Sequence, residues 1–292
     1  MPKSFAPIAD SDWPAINRAI DAALEEDIGP GDVTTLWTVR EEARARADVI
    51  AKAEGVIAGL GVAARVFQRV DARIVFTPHA ADGDRVVPRD RVAEVAGPAR
   101  GILTAERTAL NFLQRLSGIA TATADCVALV EGTGAKILDT RKTAPGLRPL
   151  DKYAVRAGGG VNHRVGLFDM ALIKDNHIEA ADGIASAVRR VRSGVARENK
   201  VLKIEVEVKD LDELREALAC RVERIMFDNM DIETMREAVR VARASSDCPE
   251  IEASGGVTLE TLRAVAETGV DFISIGALTH SVKALDISLM FR

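Results

Sequence analysis

The second half of the sequence alternates regularly between short apolar runs and stretches with helical spacing. This alternation begins after residue 132 and predicts parallel strands joined by right-handed crossovers. Six or seven such units predict a closed or nearly closed barrel. An open doubly wound sheet fits the same pattern, although no Gly-x-Gly-x-x-Gly sequence follows a strand. The predicted strands cover residues 136–138, 170–173, 201–208, 224–227, 251–253 and 272–275, and the predicted helices cover residues 183–197, 211–219, 232–244 and 259–267.

The first part of the sequence has a different, mixed order of elements. Asp32 to Thr35 is predicted to form a turn, and Gly and Pro residues punctuate the runs that follow. This order predicts an α+β domain that precedes the alternating region. The predicted helices cover residues 14–26, 62–70, 105–116 and 119–131, and the predicted strands cover residues 45–53, 73–77 and 85–87.

Composition excludes several classes of protein. An apolar content of 47% over 292 residues predicts a globular enzyme with a substantial core. The net charge of −5 argues against a nucleic-acid partner, and no apolar run approaches the roughly 18 residues that span a bilayer. The first residues lack the apolar core of a signal peptide. The three cysteines lie far apart, which predicts unpaired thiols and a cytoplasmic location.

Residues 139–177 concentrate positive charge within this acidic chain. The segment contains seven Lys or Arg and four Asp residues, a local net charge of +3. Several of these cations stand beside glycines or at the ends of apolar runs. A basic recess of this kind predicts a pocket for a small substrate with several negative charges. Arginine suits planar carboxylates, and lysine serves phosphates as a point charge.

Polar or glycine residues end or follow each of the six predicted strands. In (β/α) barrels the carboxyl ends of the strands hold the active site, so we expect these residues to surround one mouth. They are Asp139 to Lys142, Lys174 to His177, Glu205 and Glu207, Asp228 and Asn229, Ser254 to Gly256, and Gly276.

Each of these residues also has a simpler interpretation. Asp139 and Asp228 can be helix N-caps, and the glycines can form ordinary turns. A barrel strand with two carboxylates, however, requires a cation or a metal ion. Oxygen ligands from Glu207 and Asp228 would suit Mg²⁺ that is bound mostly through water and substrate phosphate.

The motifs, taken in order, resemble the quinolinate phosphoribosyltransferase family over nearly the whole chain. Each motif alone is weak, but the set is specific. One departure is Arg89, where the family pattern has Gly in a turn. The matching segments are LEEDIGPGDVT (24–34), ERTALN (106–111), DTRKTAPGLR (139–148), GGGVNHR (158–164), LIKDNH (172–177), EVEV (205–208), FDN (227–229), EASGG (252–256) and GALTHS (276–281).

This resemblance implies that quinolinate and phosphoribosyl pyrophosphate react, with Mg²⁺, to give nicotinate mononucleotide, pyrophosphate and CO₂ in NAD biosynthesis. It implies catalytic roles for Lys142, Glu207 and Asp228, with Glu207 and Asp228 on the metal, directly or through water. The implied ligands of the quinolinate carboxylates are Arg107, Arg141, His163, Arg164 and Lys174. The implied surroundings of the phosphoribosyl group, its phosphates and the metal are Lys142, Lys174, Glu207, Asp228, Ser254, Gly255, Gly256, Gly276 and His280.

The resemblance also implies a fold and an assembly. An N-terminal α/β sandwich domain (residues 1–116) would precede an irregular, incomplete α/β barrel (residues 117–280), and the tail (residues 281–292) would return to the first domain. The family forms homodimers, or multiples of dimers, so Arg107 would complete the neighbour's site.

Two other functions fit parts of the pattern. A Schiff-base aldolase or decarboxylase would use Lys174 at its strand end. A related phosphoribosyltransferase for another heterocycle, or a non-catalytic anion-binding protein, would use the same basic pocket.

Overall fold

The computed structural model describes residues 7–292, so the first six residues of the predicted N-terminal domain lie outside the described range. The chain divides into two compact units. The first contains residues 7–124, 142–160 and 277–292, and the second contains residues 125–141 and 161–276. The predicted mixed α/β class is confirmed. Among the described helices, none has both the length and the apolar character that crossing a membrane requires.

The first unit contains a four-stranded antiparallel sheet and a separate strand pair. In the larger sheet the last strand of the chain lies at one edge, and the spatial order is β12-β1-β5-β3. Strand β5 was not predicted, because Pro88, Gly97 and Pro98 were interpreted as breaks. The strands are β1 (Arg44–Ala51), β2 (Gly55–Val56), β3 (Val75–Pro78), β4 (Arg85–Val86), β5 (Arg91–Pro98) and β12 (Ile287–Phe291), and β2 pairs with β4.

The helices of the first unit begin with α1, which buries Ile16, Ile20 and Leu24 at the predicted spacing of four. The predicted turn at Asp32 is wrong. Asp32 is instead the N-cap of a short helix, and its Oδ1 accepts the Thr35 N–H at 3.0 Å. The helices are α1 (Trp13–Ile28), α2 (Val33–Thr38), α3 (Leu60–Val70), α4 (Ala99–Leu129, which continues into the second unit), α5 (Arg148–Ala157) and α11 (Ala277–His280).

One helix, α4, replaces the two helices that were predicted on either side of Ser117 and Gly118. The glycine does not end the helix. A Cβ at Gly118 would lie 2.2 Å from the carbonyl oxygen of Lys283, so the glycine allows the returning backbone to pack directly against α4.

The second unit is built on a six-stranded parallel sheet with the order β6-β11-β10-β9-β8-β7. Each predicted strand and helix of this region is present, with ends shifted by three residues or fewer. Because the strands are parallel, all six carboxyl ends lie at one edge of the sheet. The strands are β6 (Lys136–Leu138), β7 (Ala171–Ile173), β8 (Ile204–Val208), β9 (Arg224–Asp228), β10 (Glu250–Ser254) and β11 (Phe272–Ser274), and the helices are α6 (Asp175–Ala180), α7 (Ile184–Arg197), α8 (Leu211–Ala219), α9 (Ile232–Arg243) and α10 (Leu259–Ala266).

Candidate active site

The carboxyl edge of the parallel sheet carries most of the predicted site residues. Each of them ends a strand or follows one within three residues, so the topology alone places them along the same edge. These residues are Arg141, Lys174, Glu207, Asp228, Ser254, Gly255, Gly256 and Gly276.

Two carboxylates end neighbouring strands at this edge. Glu207 in β8 pairs in register with Met226, two residues before Asp228 in β9, so both acids lie on one face of the sheet. The Nζ of Lys174 forms an ion pair with Glu207. Asp228 accepts a hydrogen bond from the Asn229 side chain at 3.0 Å. Two carboxylates from adjacent strands are a donor set that suits a hard, oxygen-ligated cation.

The turn at residues 254–256 lies at the end of β10, and both of its glycines are exposed. Gly255 has φ 90° and Gly256 has φ 60°, in the region that favours glycine. A Cβ on Gly255 would lie 2.2 Å from Oδ1 of Asn229, whose own N–H donates to the Ser254 carbonyl at 2.9 Å. A larger residue at Gly255 would be strained by the positive φ and would displace the Asn229 side chain, and an anion can approach the N–H groups of such a turn.

Arg141 and Arg164 bring two positive charges close together. Val161 forms a parallel bridge with Leu138, which brings the segment that carries Arg164 beside the end of β6. The Nη1 of Arg164 donates to the Met170 carbonyl at 3.1 Å. Partial burial and the charge of Arg141 both lower the pKa of Arg164. An anion bound here would relieve this repulsion.

Asp139, just after β6, holds the segment that carries Arg164 through hydrogen bonds. It is fully buried, and its two oxygens accept the His163 backbone N–H at 2.8 Å and the Asn162 side chain at 2.6 Å. The simpler interpretation of Asp139 as a helix N-cap is therefore wrong. The residue instead fixes the position of the loop that follows.

A buried polar cluster around His163 was only partly foreseen. The Nε2 of His163 lies 3.1 Å from Glu205 and 3.4 Å from Glu252, and Arg224 lies 3.2 Å from Glu252. Burial lowers the pKa of His163, whereas hydrogen bonds and charges from both carboxylates raise it. The Arg164 N–H that Nδ1 accepts at 2.7 Å requires the neutral ring with its proton on Nε2, which faces the two carboxylates. Burial raises the pKa of Glu205 to about 7. The sequence feature that could have identified Glu252 is a carboxylate inside an otherwise apolar strand.

Three predicted site residues belong to the first unit instead. Arg107 is exposed on α4, and Lys142 is exposed at the start of a loop. The Lys142 carbonyl accepts a hydrogen bond from Thr279 at 2.8 Å, and the neighbouring His280 contacts Ser281 through Nδ1 at 2.8 Å. Lys142 and His280 therefore lie on two segments that are tied together.

Comparison with known families covers both units. Residues 32–117 match the N-terminal domain of quinolinate phosphoribosyl transferase, and residues 119–290 match its C-terminal domain. The chain belongs to the quinolinate phosphoribosyltransferase family.

Individual family members are similar over nearly the whole of this chain. A Bacillus subtilis protein, named as a probable carboxylating nicotinate-nucleotide pyrophosphorylase, is 46% identical over 274 residues, which are 94% of this chain and 92% of that protein. A chloroplastic enzyme of the same name from Oryza sativa is 45% identical over 94% of this chain and 77% of its own length. The structure of a nicotinate-nucleotide pyrophosphorylase from Francisella tularensis superimposes with a TM-score of 0.89 at 43% identity, covering 96% of each chain.

Proposed function

We propose that this protein transfers the phosphoribosyl group of phosphoribosyl pyrophosphate to quinolinate and releases CO₂. The products are nicotinate mononucleotide and pyrophosphate, an intermediate and a by-product of NAD biosynthesis. The observation that carries this proposal is the pair Arg141 and Arg164, two cations held close together at the edge where acids and a glycine turn also end strands. A dicarboxylate and a polyphosphate together require such a set.

Arg141 and Arg164 are the proposed main ligands of the quinolinate carboxylates. The planar guanidinium group makes two parallel hydrogen bonds to a carboxylate, which gives orientation as well as affinity. His163 and Lys174 complete this end of the site, and Arg107 adds a further cation. Both ring nitrogens of His163 face protein groups, so we assign it mainly to shaping the pocket.

The phosphoribosyl group is proposed to bind beside the glycine turn. Backbone N–H groups of Gly255 and Gly256 would contact its phosphate, next to the hydroxyl of Ser254. Gly276 follows the neighbouring strand β11 and is a further proposed contact, and Lys142 and His280 would contribute charge to the phosphates.

Glu207 and Asp228 are the proposed ligands of Mg²⁺, directly or through water. When bound, the ion neutralises charge that develops on the departing pyrophosphate. The donor set fits, because two carboxylates end adjacent strands on one face. The buried cluster of His163, Glu205 and Glu252 fits Mg²⁺ less well, since it offers a nitrogen ligand and already contains Arg224.

The proposed reaction has two steps and no covalent enzyme intermediate. The pyridine nitrogen attacks the anomeric carbon of the ribose while the bond to pyrophosphate breaks. The carboxylates of Glu207 and Asp228 stabilise the positive charge that builds on the sugar. The pyridinium ring then accepts the electron pair of the breaking carbon–carboxylate bond as CO₂ leaves, and Lys142 donates a proton to the resulting ring carbanion.

We further propose a homodimer, or a multiple of dimers, in which Arg107 enters the neighbour's site. Helix α2 leaves Val33, Leu36 and Trp37 exposed, with Trp37 at 81%. The same helix is fixed to α4, since Asp32 accepts a hydrogen bond from Thr104 at 3.0 Å.

Thr104 and Arg107 share one face of α4, being three residues apart. The exposed apolar residues of α2 and the exposed Arg107 are thus carried by two helices that are tied together. A second copy that covers them would receive Arg107 at the same interface, and a two-fold axis would repeat this contact. Substrate in a covered site would also be shielded from water, which strengthens each ionic contact.

A cytoplasmic location is part of the proposal. Cys126, Cys220 and Cys248 are all free thiols. Unpaired cysteines are the usual state in a reducing compartment.

The test is a comparison of two substrates. Purified protein with Mg²⁺ and phosphoribosyl pyrophosphate is mixed with quinolinate or with nicotinate, and nucleotide and CO₂ are measured. Product should form from quinolinate alone. Equal use of nicotinate would contradict the decarboxylating assignment, and an adduct trapped by borohydride would favour a Schiff base on Lys174.

A further inference from the structure

A layer of buried charge lies beneath the strand ends, and the proposed chemistry does not use it. Glu205 precedes Glu207 by two residues on β8, so it points to the same face of the sheet about 6–7 Å deeper. Glu252 stands in the same relation to Ser254 on β10. Both carboxylates are fully buried, and His163, which is 8% exposed, contacts both of them through Nε2.

The carboxylate of Glu252 is fixed by groups other than the histidine. Arg224 contacts it at 3.2 Å, and the hydroxyl of Ser274 donates a hydrogen bond to its other oxygen. Glu205 approaches the same ring nitrogen from a different strand, at 3.1 Å. The imidazole therefore cannot turn without losing contacts with two carboxylates from two strands.

The orientation of the His163 ring affects the site through the next residue, Arg164. The Nδ1 of His163 accepts the backbone N–H of Arg164 at 2.7 Å, while the His163 N–H is bound by Asp139 at 2.8 Å. The ring thus fixes the point at which the Arg164 side chain begins. A small displacement there would move the guanidinium group at the end of a long side chain.

We infer that Glu205 and Glu252 are positioning residues for dicarboxylate recognition: they fix the His163 ring, and the ring fixes Arg164. The inference rests on the proposed function, in which Arg164 binds a carboxylate of quinolinate. Neither glutamate contacts the substrate. Their effect is expected in the binding of quinolinate and not in that of phosphoribosyl pyrophosphate.

The same three side chains have the chemistry of metal ligands, and their ligand atoms lie within 4.8 Å of one another. Arg224 already supplies a positive charge to this cluster, 3.2 Å from Glu252, so the buried carboxylates have a counter-charge without a metal ion.

The experiment compares Glu205→Met with Glu205→Gln. Methionine keeps the length of the side chain and removes the acceptor, whereas glutamine keeps an acceptor for the Nε2 contact. The control is Glu237→Gln, because Glu237 pairs with Arg240 on α9 and belongs to neither the His163 contact nor the proposed site. Steady-state constants for both substrates, thermal stability and nitrogen NMR of the His163 ring are measured for each variant.

Glu205→Met should raise the KM for quinolinate about tenfold or more, with the KM for phosphoribosyl pyrophosphate unchanged. Glu205→Gln should recover most of the loss, and the control should match the wild type. The His163 ring signals should shift in Glu205→Met and stay close to wild type in Glu205→Gln.

Three results would overturn the inference. One is an equal rise of both KM values, and another is lowered thermal stability with unchanged kinetics; either would leave only a structural role. The third is one equivalent of metal in the wild-type protein that Glu205→Gln loses. A wild-type protein without activity on quinolinate would instead contradict the proposed function itself, and unchanged His163 signals in Glu205→Met would then also reject the positioning contact.

Discussion

Arg115 forms a two-pronged salt bridge with Asp151, at 3.0 Å through Nε and 2.8 Å through Nη2. Asp151 is fully buried and also accepts the Ala144 N–H at 3.0 Å, two residues after Lys142. Arg115 also donates to the Thr279 carbonyl at 3.2 Å, next to His280. One ion pair therefore fixes both segments that carry the proposed phosphate ligands of the first unit.

Replacing one member of this pair should affect stability and catalysis together. Asp151→Asn leaves Arg115 without its charge partner, and we expect the free energy of unfolding to fall by about 1–3 kcal/mol, with a lower kcat. Denaturant unfolding and steady-state kinetics measure the two effects. The control is Asp125→Asn, at an exposed position of α4. Equal losses of stability and activity in both variants would contradict the role of the Arg115–Asp151 pair.

Arg141→Ala or Arg164→Ala should weaken quinolinate binding far more than phosphoribosyl pyrophosphate binding. Losing a charge-assisted hydrogen bond costs about 1.5–3 kcal/mol, or roughly 10- to 150-fold in affinity. Arg164→Lys should not restore binding, because an ammonium group cannot make the two parallel contacts. Titration calorimetry with each substrate tests this, with Arg190→Ala at an exposed position of α7 as the control. Equal losses for both substrates would argue against these two ligands.

Glu207→Gln and Asp228→Asn should raise the Mg²⁺ concentration needed for half-maximal rate. Each substitution removes one anionic ligand from a proposed pair, while the affinity of the free enzyme for quinolinate should change little. Rates are measured over a range of Mg²⁺ concentrations, with Glu233→Gln at an exposed position of α9 as the control. The metal assignment is refuted if both variants keep the wild-type Mg²⁺ dependence.

Arg107→Ala and Lys142→Ala should each be nearly inactive, yet recover activity when unfolded and refolded together. In a mixed dimer one site retains both residues, because Arg107 comes from the neighbour. Random pairing makes half of the dimers mixed, so about a quarter of wild-type activity is expected. Absence of recovery, with mixed dimers confirmed by mass spectrometry, would place Arg107 in its own subunit's site or outside the site.

Arg89→Gly should stabilise the protein. Arg89 is exposed and has φ 83°, a backbone conformation that glycine adopts without steric cost. The expected gain is about 0.5–1 kcal/mol, because relief of this strain exceeds the added flexibility of the unfolded chain. Thermal unfolding measures the change, and a lower midpoint would show that the turn tolerates arginine well.

The sequence predicted the second unit better than the first, for a physical reason. Parallel strands that are covered on both faces appear as apolar runs, so Arg224–Asp228 and Phe272–Ser274 could be located from the sequence. Strand Arg91–Pro98 could not, because its glycine is explained by a contact: a Cβ at Gly97 would lie 2.9 Å from the Cα of Ile74. Gly118 is a second case of the same kind.

The sequence predicted the site residues at the strand ends, but not the buried residues that support them. Polar residues at the end of an apolar run mark the end of a strand, and this pattern located Glu207, Asp228 and Ser254. The partnership of His163 with Glu205 and Glu252 joins residues that are far apart in the sequence, and no local pattern reports it. The residues that position the site are therefore harder to find than those that line it.

The pairing of β12 with β1 has a consequence for how the protein is made. Val49 is opposite Leu289 in this sheet, so a ribosome must synthesise the whole parallel unit before the partner of β1 emerges. Until then the edge of β1 exposes unpaired backbone groups, which invite association with other chains. Nascent chains of this protein should therefore depend on chaperones late in synthesis, after the second unit has already folded.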